Sequence, residues 1–253
     1  MASASVVREA LAVRELSAAE HRALVRTLRG AWPGLPALLC GSAAVCAAAV
    51  LVVLLTPGVT PLSALLASVL VTPAVAALAA VANSLSEEGE ARIRGWWREL
   101  RRLFGYGAGH GLLAGLPVAA FLVALEVWRA TGSAWALPSL GVSGAASAVA
   151  VLALGALLPL GARRPDLRGR HLWLCSVYLV ARRPLRFLAG PAVAALGVWA
   201  AVHWTASLLL LVPGPAVLVA VAAVWSSVAA EAAQAGDDAV LGARPGHPGG
   251  DPG

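Results

Sequence analysis

No Asp, Glu, Lys or Arg occurs in residues 31–86, and the same holds for residues 130–161 and 187–230. A helix needs about 20 apolar residues to cross roughly 30 Å of hydrocarbon. The first stretch therefore holds two spans and a turn, the second one span and the third two. Residues 103–125 supply another, interrupted only by His110. The expectation is an all-α, polytopic transmembrane bundle of six spans. Overall composition agrees: 13% charged residues is about half the charge of a soluble domain, too little polar surface to coat a globule in water.

Turn signals set the boundaries. Span 1 is expected at 35–55, and Pro57-Gly58-Val-Thr-Pro61 turns the chain into span 2 at 62–81. Span 3 is expected at 106–128, span 4 at 137–160 and span 5 at 187–202. The turn to span 6 falls either at 203–207 or at Pro213-Gly214-Pro215. The former divides the apolar length more evenly, since Pro is tolerated in an early helical turn. Residues 171–181 are apolar but too short to span, and are expected at the membrane interface. The organisation is then an amphipathic amino-terminal segment (1–30), one membrane domain (31–230) and a Gly/Pro/Asp-rich tail (231–253) expected to be disordered. In the first segment Ser17-Ala-Ala-Glu20 has capping-box spacing. The first apolar run follows Glu9, Glu15 and Glu20 and is of span length, so it reads as a retained span and not as a cleaved signal.

Orientation follows from the basic residues, all 19 of which are arginine. Five precede span 1, five lie between spans 2 and 3, seven between spans 4 and 5, and one in the tail; Arg129 alone lies on the other side. Arginine is retained on the cytoplasmic side, so both termini are expected there, in a bacterial inner membrane. The lysine-free, Ala/Val/Leu/Gly/Arg-rich usage matches a GC-rich bacterial genome. A net charge of +6 distributed between hydrophobic runs does not make a nucleic-acid-binding face; anionic lipid is the expected partner.

Two segments combine arginine with aromatic residues. Ile93, Trp96, Trp97, Leu100, Leu103 and Phe104 share one face of a 3.6-residue period, with Arg94, Arg98, Arg101 and Arg102 on the other. Tryptophan towards lipid and arginine towards phosphate is the expectation, with Ser86 as cap and Glu87, Glu88 and Glu90 at the helix start. The second is 171–186, ending in Arg182, Arg183, Pro184, Leu185 and Arg186. Glu90, Arg94, Trp96, Trp97 and the arginines of both segments are the candidate interface for a partner.

Within span 3, Gly107, Gly111 and Gly115 fall on one helix face at four-residue spacing. Small residues let helices approach closely in lipid, so a packing seam is expected, within the fold or between protomers. His110 is the ionisable group expected inside the membrane and is a functional candidate on that ground. Cys40, Cys46 and Cys175 show no metal or disulfide spacing. No catalytic or cofactor motif is present, and the expectation is a protein that is not an enzyme and holds no cofactor. Proline follows a small or polar residue at Thr72-Pro73, Gly190-Pro191 and Gly214-Pro215, a pattern that either follows from composition or marks broken transporter helices.

The order of these parts resembles the YesL-like family of bacterial integral membrane proteins, defined by a domain of unknown function. The carrying stretches are Thr72-Pro73-Ala74-Val75-Ala76-Ala77-Leu78, Trp96-Trp97-Arg98-Glu99-Leu100-Arg101-Arg102-Leu103-Phe104 and Tyr178-Leu-Val-Ala-Arg182-Arg183-Pro184-Leu185-Arg186. Tryptophans stand where the family has phenylalanines, and Thr72 stands where it has glycine. The resemblance implies a neighbour of carbohydrate ABC-transporter components and no catalytic residues. The functional expectation is an accessory or interaction protein in solute uptake; a permease in its own right ranks second and a membrane-embedded enzyme third.

Overall fold

A computed structural model describes residues 34–88, 93–164 and 169–242, without the side chains of 87–88 and 233–242. Among the described residues all regular structure is helical. The helices are α1 (Gly34–Leu55), α2 (Pro61–Glu88), α3 (Ile93–Thr131), α4 (Ala136–Arg163), α5 (Arg170–Arg182), α6 (Pro184–His203) and α7 (Pro213–Gly242), with a 3-10 turn at Ala206–Leu211. Six segments are long and apolar enough to cross a membrane: α1 to α4, α6, and the 3-10 turn continued into α7. The chain is a multi-pass integral membrane protein folded as an all-α bundle.

Local chemistry explains the joints. Gly58 adopts φ 88° in the α1–α2 turn, a backbone state favourable only for glycine. Thr60 and Ser63 then exchange hydrogen bonds: the Ser63 amide donates to Thr60 Oγ1 (3.1 Å) and the Thr60 amide to Ser63 Oγ (2.8 Å). This reciprocal cap, with Pro61 as first helical residue, starts α2. Gly132, at φ 59°, closes α3 by donating its amide to the Trp128 carbonyl at 2.8 Å.

Three features differ from the sequence reading. The arginine-bearing segment and span 3 are one continuous helix of 39 residues, about 58 Å long at 1.5 Å per residue. Its first turns therefore project beyond the hydrocarbon. Ser86 lies inside α2, donating to the Asn83 carbonyl at 2.7 Å, and does not cap the next helix. At the other boundary α7 runs on to Gly242, past the expected end of the membrane domain at 230, because residues 228–235 are rich in alanine, the strongest helix former. The turn after α6 uses both candidate signals: α6 stops at His203 and α-helix resumes only at Pro213. Helices α2 and α6 continue unbroken through Pro73 and Pro191, so neither proline divides a span into half-helices. Residues 1–33, Glu90, Arg92, Arg168 and 243–253 lie outside the described residues.

Helices α2 and α3 pack against each other extensively, and α4 packs on α3. The 13-residue α5 is about 20 Å long, too short to cross. It turns Leu172, Ser176, Leu179 and Val180 into the bundle and leaves Leu174, Val177 and Tyr178 exposed.

Candidate functional site

The arginine-rich loops place the ends of α2, α4 and α7, the starts of α1, α3 and α6, and all of α5 at one end of the bundle. Polar side chains meet there. Asn83, buried on α2, donates from Nδ2 to the Pro159 carbonyl of α4 at 2.9 Å. Its Oδ1 accepts from Trp225 Nε1 of α7, also at 2.9 Å. One amide thus joins three helices with its donor and acceptor both used. The Arg163 guanidinium covers the Trp225 ring at 4.3 Å, a cation–π distance.

A second cluster joins α3, α4 and α5. Tyr106 donates its hydroxyl to the Leu157 carbonyl at 2.9 Å. The ring lies directly against Gly161, where a Cβ would collide with the tyrosine hydroxyl and approach Leu172 to 3.0 Å. His110, one turn further along α3, meets Tyr106 edge-on at 4.7 Å and accepts Trp173 Nε1–H at Nδ1 over 3.0 Å. Trp indole only donates, so this contact requires Nδ1 to be unprotonated and puts the His110 proton on Nε2. The histidine is therefore a neutral link between α3 and α5.

The glycines of α3 face α2. Gly107 lies over Pro73, with a Cβ there 2.6 Å from Pro73 Cα. Gly111 meets the Ser68 carbonyl and Thr72, and Gly115 meets the Ser68 side chain. All three are buried within a single chain, so the close approach they permit is made inside the fold.

The aromatic stripe of α3 divides. Trp96 (4% exposed) and Leu103 (6%) enter the bundle, whereas Ile93, Trp97 and Phe104 stay about half exposed. Trp96 thus corrects the expectation that the whole stripe faces lipid. Gly41 of α1 leaves the room, since a Cβ there would lie 3.0 Å from Trp96 Nε1. Arg94 and Arg98 are exposed. Arg101 lies over Trp97 at 5.1 Å. Arg102 binds Glu99 and reaches the Ala162 carbonyl at 3.2 Å. In the second segment Arg182 pairs with Glu231 of α7 at 3.2 Å, and Arg186 donates to Ser226 Oγ at 3.2 Å. Arg183 stands between α5 and α6.

The two basic segments and His110 are thus brought to one end of the molecule, while Glu90 lies outside the described residues. Sequence reasoning missed Asn83, Tyr106, Trp173, Trp225 and Glu231. Asn83 carried a signal: it is the one Asn in the sequence, and an amide so close to a span needs partners. Among the described residues no group of His, Cys, Asp and Glu is arranged to hold a metal ion, and all three cysteines are free thiols. The chain matches no family model, no curated protein and no solved structure.

Proposed function

We propose that this integral membrane protein acts as an accessory or interaction protein, with its arginine-rich end as the working surface in the cytoplasmic leaflet of the cell membrane. The observation that carries this reading is the distribution of polarity. The side chains buried among the described residues include six polar ones, Ser42, Thr56, Thr72, Asn83, Ser176 and Ser227, and none that is charged. Apart from Glu126 and Arg129 in the last turns of α3, the ionised groups among the described residues gather at one end. A machine that passes polar solute through its own interior needs polar groups converging near the membrane midplane; a docking protein needs them at the surface.

The chain's likeness to the YesL-like family, carried by its Thr72–Leu78 and Trp96–Phe104 stretches, supports a solute-uptake assembly, carbohydrate uptake in particular, as the partner. Arg94 and Trp97, both exposed on the first turns of α3, are the residues placed to meet it. Photoreactive residues at these two positions in cells are expected to yield a discrete protein adduct containing a transporter subunit. Lipid adducts alone at both would overturn the partner reading. Reporter fusions at Arg170 and near Ser133 test the orientation, with cytoplasmic signal expected from the first and external signal from the second.

A further inference from the structure

Helices α5 and α6 meet at a one-residue elbow. Arg183 ends α5, donating its amide to the Leu179 carbonyl at 3.1 Å, and begins α6, where its carbonyl accepts the Arg186 amide at 3.1 Å. The bend sets Arg182, Arg183, Pro184, Leu185 and Arg186 around a shallow, open cleft of about 330 Å³. Two of its three guanidiniums are held from outside: Arg182 by Glu231 and Arg186 by Ser226. Among the described residues the Arg183 side chain makes no hydrogen bond or ion pair, although it is only partly exposed. Arg183 is thus the guanidinium of the bend left to meet an anion, and it makes the cleft positive. The α6 amino terminus, which has no side-chain cap, adds the positive end of its dipole.

The surroundings are apolar. Leu185 is 81% exposed beside the arginines, and Leu188 and Tyr178 are about half exposed on either helix. A guanidinium fork matches phosphate oxygens geometrically, and exposed leucines in a membrane protein face acyl chains. We infer that the α5–α6 elbow is a discrete site for an anionic phospholipid, with its headgroup phosphate on Arg183 and its acyl chains along Leu185 and Leu188. The inference rests on the reading that the arginine-rich end lies in a headgroup layer, but it needs neither a protein partner nor a particular leaflet.

The test is native mass spectrometry of the purified full chain in detergent, with phosphatidylglycerol or phosphatidylcholine added. Wild type is expected to retain one phosphatidylglycerol in preference to phosphatidylcholine. Arg183→Gln is expected to lower that occupancy about fivefold, the effect of one surface cation near anionic lipid, with an unchanged melting temperature. Arg183→Lys, which keeps the charge and loses the fork, is expected to fall between. Arg94→Gln, on the other basic segment, is expected to change nothing. Leu185→Ser is expected to weaken the lipid, and millimolar inorganic phosphate is expected not to displace it. Equal losses in Arg183→Gln and Arg94→Gln would mean diffuse attraction and overturn the site. Displacement by phosphate would make it a free-anion site and overturn the lipid assignment, and no preference for phosphatidylglycerol would remove both. Because the measurement is independent of partner and orientation, its failure leaves the accessory reading standing, and failed crosslinking leaves the site standing.

Discussion

The two ends of the bundle are built from similar apolar sequence but packed differently. At the arginine-rich end α2 buries residues from Thr72 onward and α4 from Ala153 onward. Towards Arg129 the other halves of both helices have no fully buried residue, whereas α1, α3 and α7 carry buried positions along most of their described lengths. Hydrogen bonds divide the same way. Among the described residues every side-chain bond joining two helices lies at the arginine-rich end, save Cys46 Sγ to the Leu209 carbonyl at 3.3 Å. Elsewhere hydroxyls turn back on their own helix, as Ser143 does to the Ser139 carbonyl. Lipid tails are as apolar as leucine, so apolar sequence alone does not pull helices together. Close glycine contacts and polar clamps do; here the clamps sit almost entirely at one end, and the close glycines sit there, along α3 and where Gly197 of α6 meets Val212.

The strongest test of this contrast is on α3 itself. Gly111→Leu, driven against the Ser68 carbonyl and Thr72, is expected to destabilise the fold by about 3 kcal/mol or to prevent folding, read as thermal melting in detergent. Gly109 is two residues away with nothing within 4 Å of its Cβ position, and Gly109→Leu is expected to stay within about 0.5 kcal/mol of wild type. Equal tolerance at both sites would remove the α2–α3 contact from the argument.

Asn83→Leu is next. It leaves Trp225 Nε1 unpaired in the bundle and removes the tie from α2 to the Pro159 carbonyl, at an expected cost of about 2 kcal/mol. Ser143→Ala, at the loose end, is expected to change melting by no more than a few tenths of a kcal/mol, because it removes a bond within one helix. Similar effects of the two substitutions would erase the difference between the ends.

What could be read in advance, and what could not, follows from the same physics. The six spans were legible because hydrocarbon forbids scattered charge over about 20 residues, and charge-free stretches, two of them divided by turn signals, mark them out. The destinations of Trp96 and Trp97 were not. Periodicity assigns both to one face, but the protein interior and the lipid are alike in polarity, and only Gly41 on another helix decides which ring is buried. The partners of Asn83 were illegible for a different reason: they are a backbone carbonyl 76 residues away and an indole 142 residues away. The break at Ser86 failed because its hydroxyl could serve either side, and in the fold it serves α2.

Smaller effects sharpen the comparison inside the clamped end. Gly161→Ala pushes Tyr106 off the Leu157 carbonyl and is expected to cost about 1–2 kcal/mol. Tyr106→Phe should cost about 1 kcal/mol. The double variant should fall short of their sum, since either change already loses the same bond; full additivity would mean that Gly161 and Tyr106 do not act together. The smallest effect is expected from Trp173→Phe, which removes the bond to His110 and should weaken the attachment of α5 by about 0.6 kcal/mol. Faster amide exchange across α5, with α2 and α3 unaltered, is the readout.

The one-sided burial of α4 has a mechanical consequence. From Ala153 back to Ala136 the helix extends roughly 25 Å beyond its last fully buried residue. A tilt of about 5° at the fixed end would sweep the free end through about 2 Å at that length. Helices held in this way act as levers with their fulcrum in the polar cluster of Asn83, Tyr106 and Trp225.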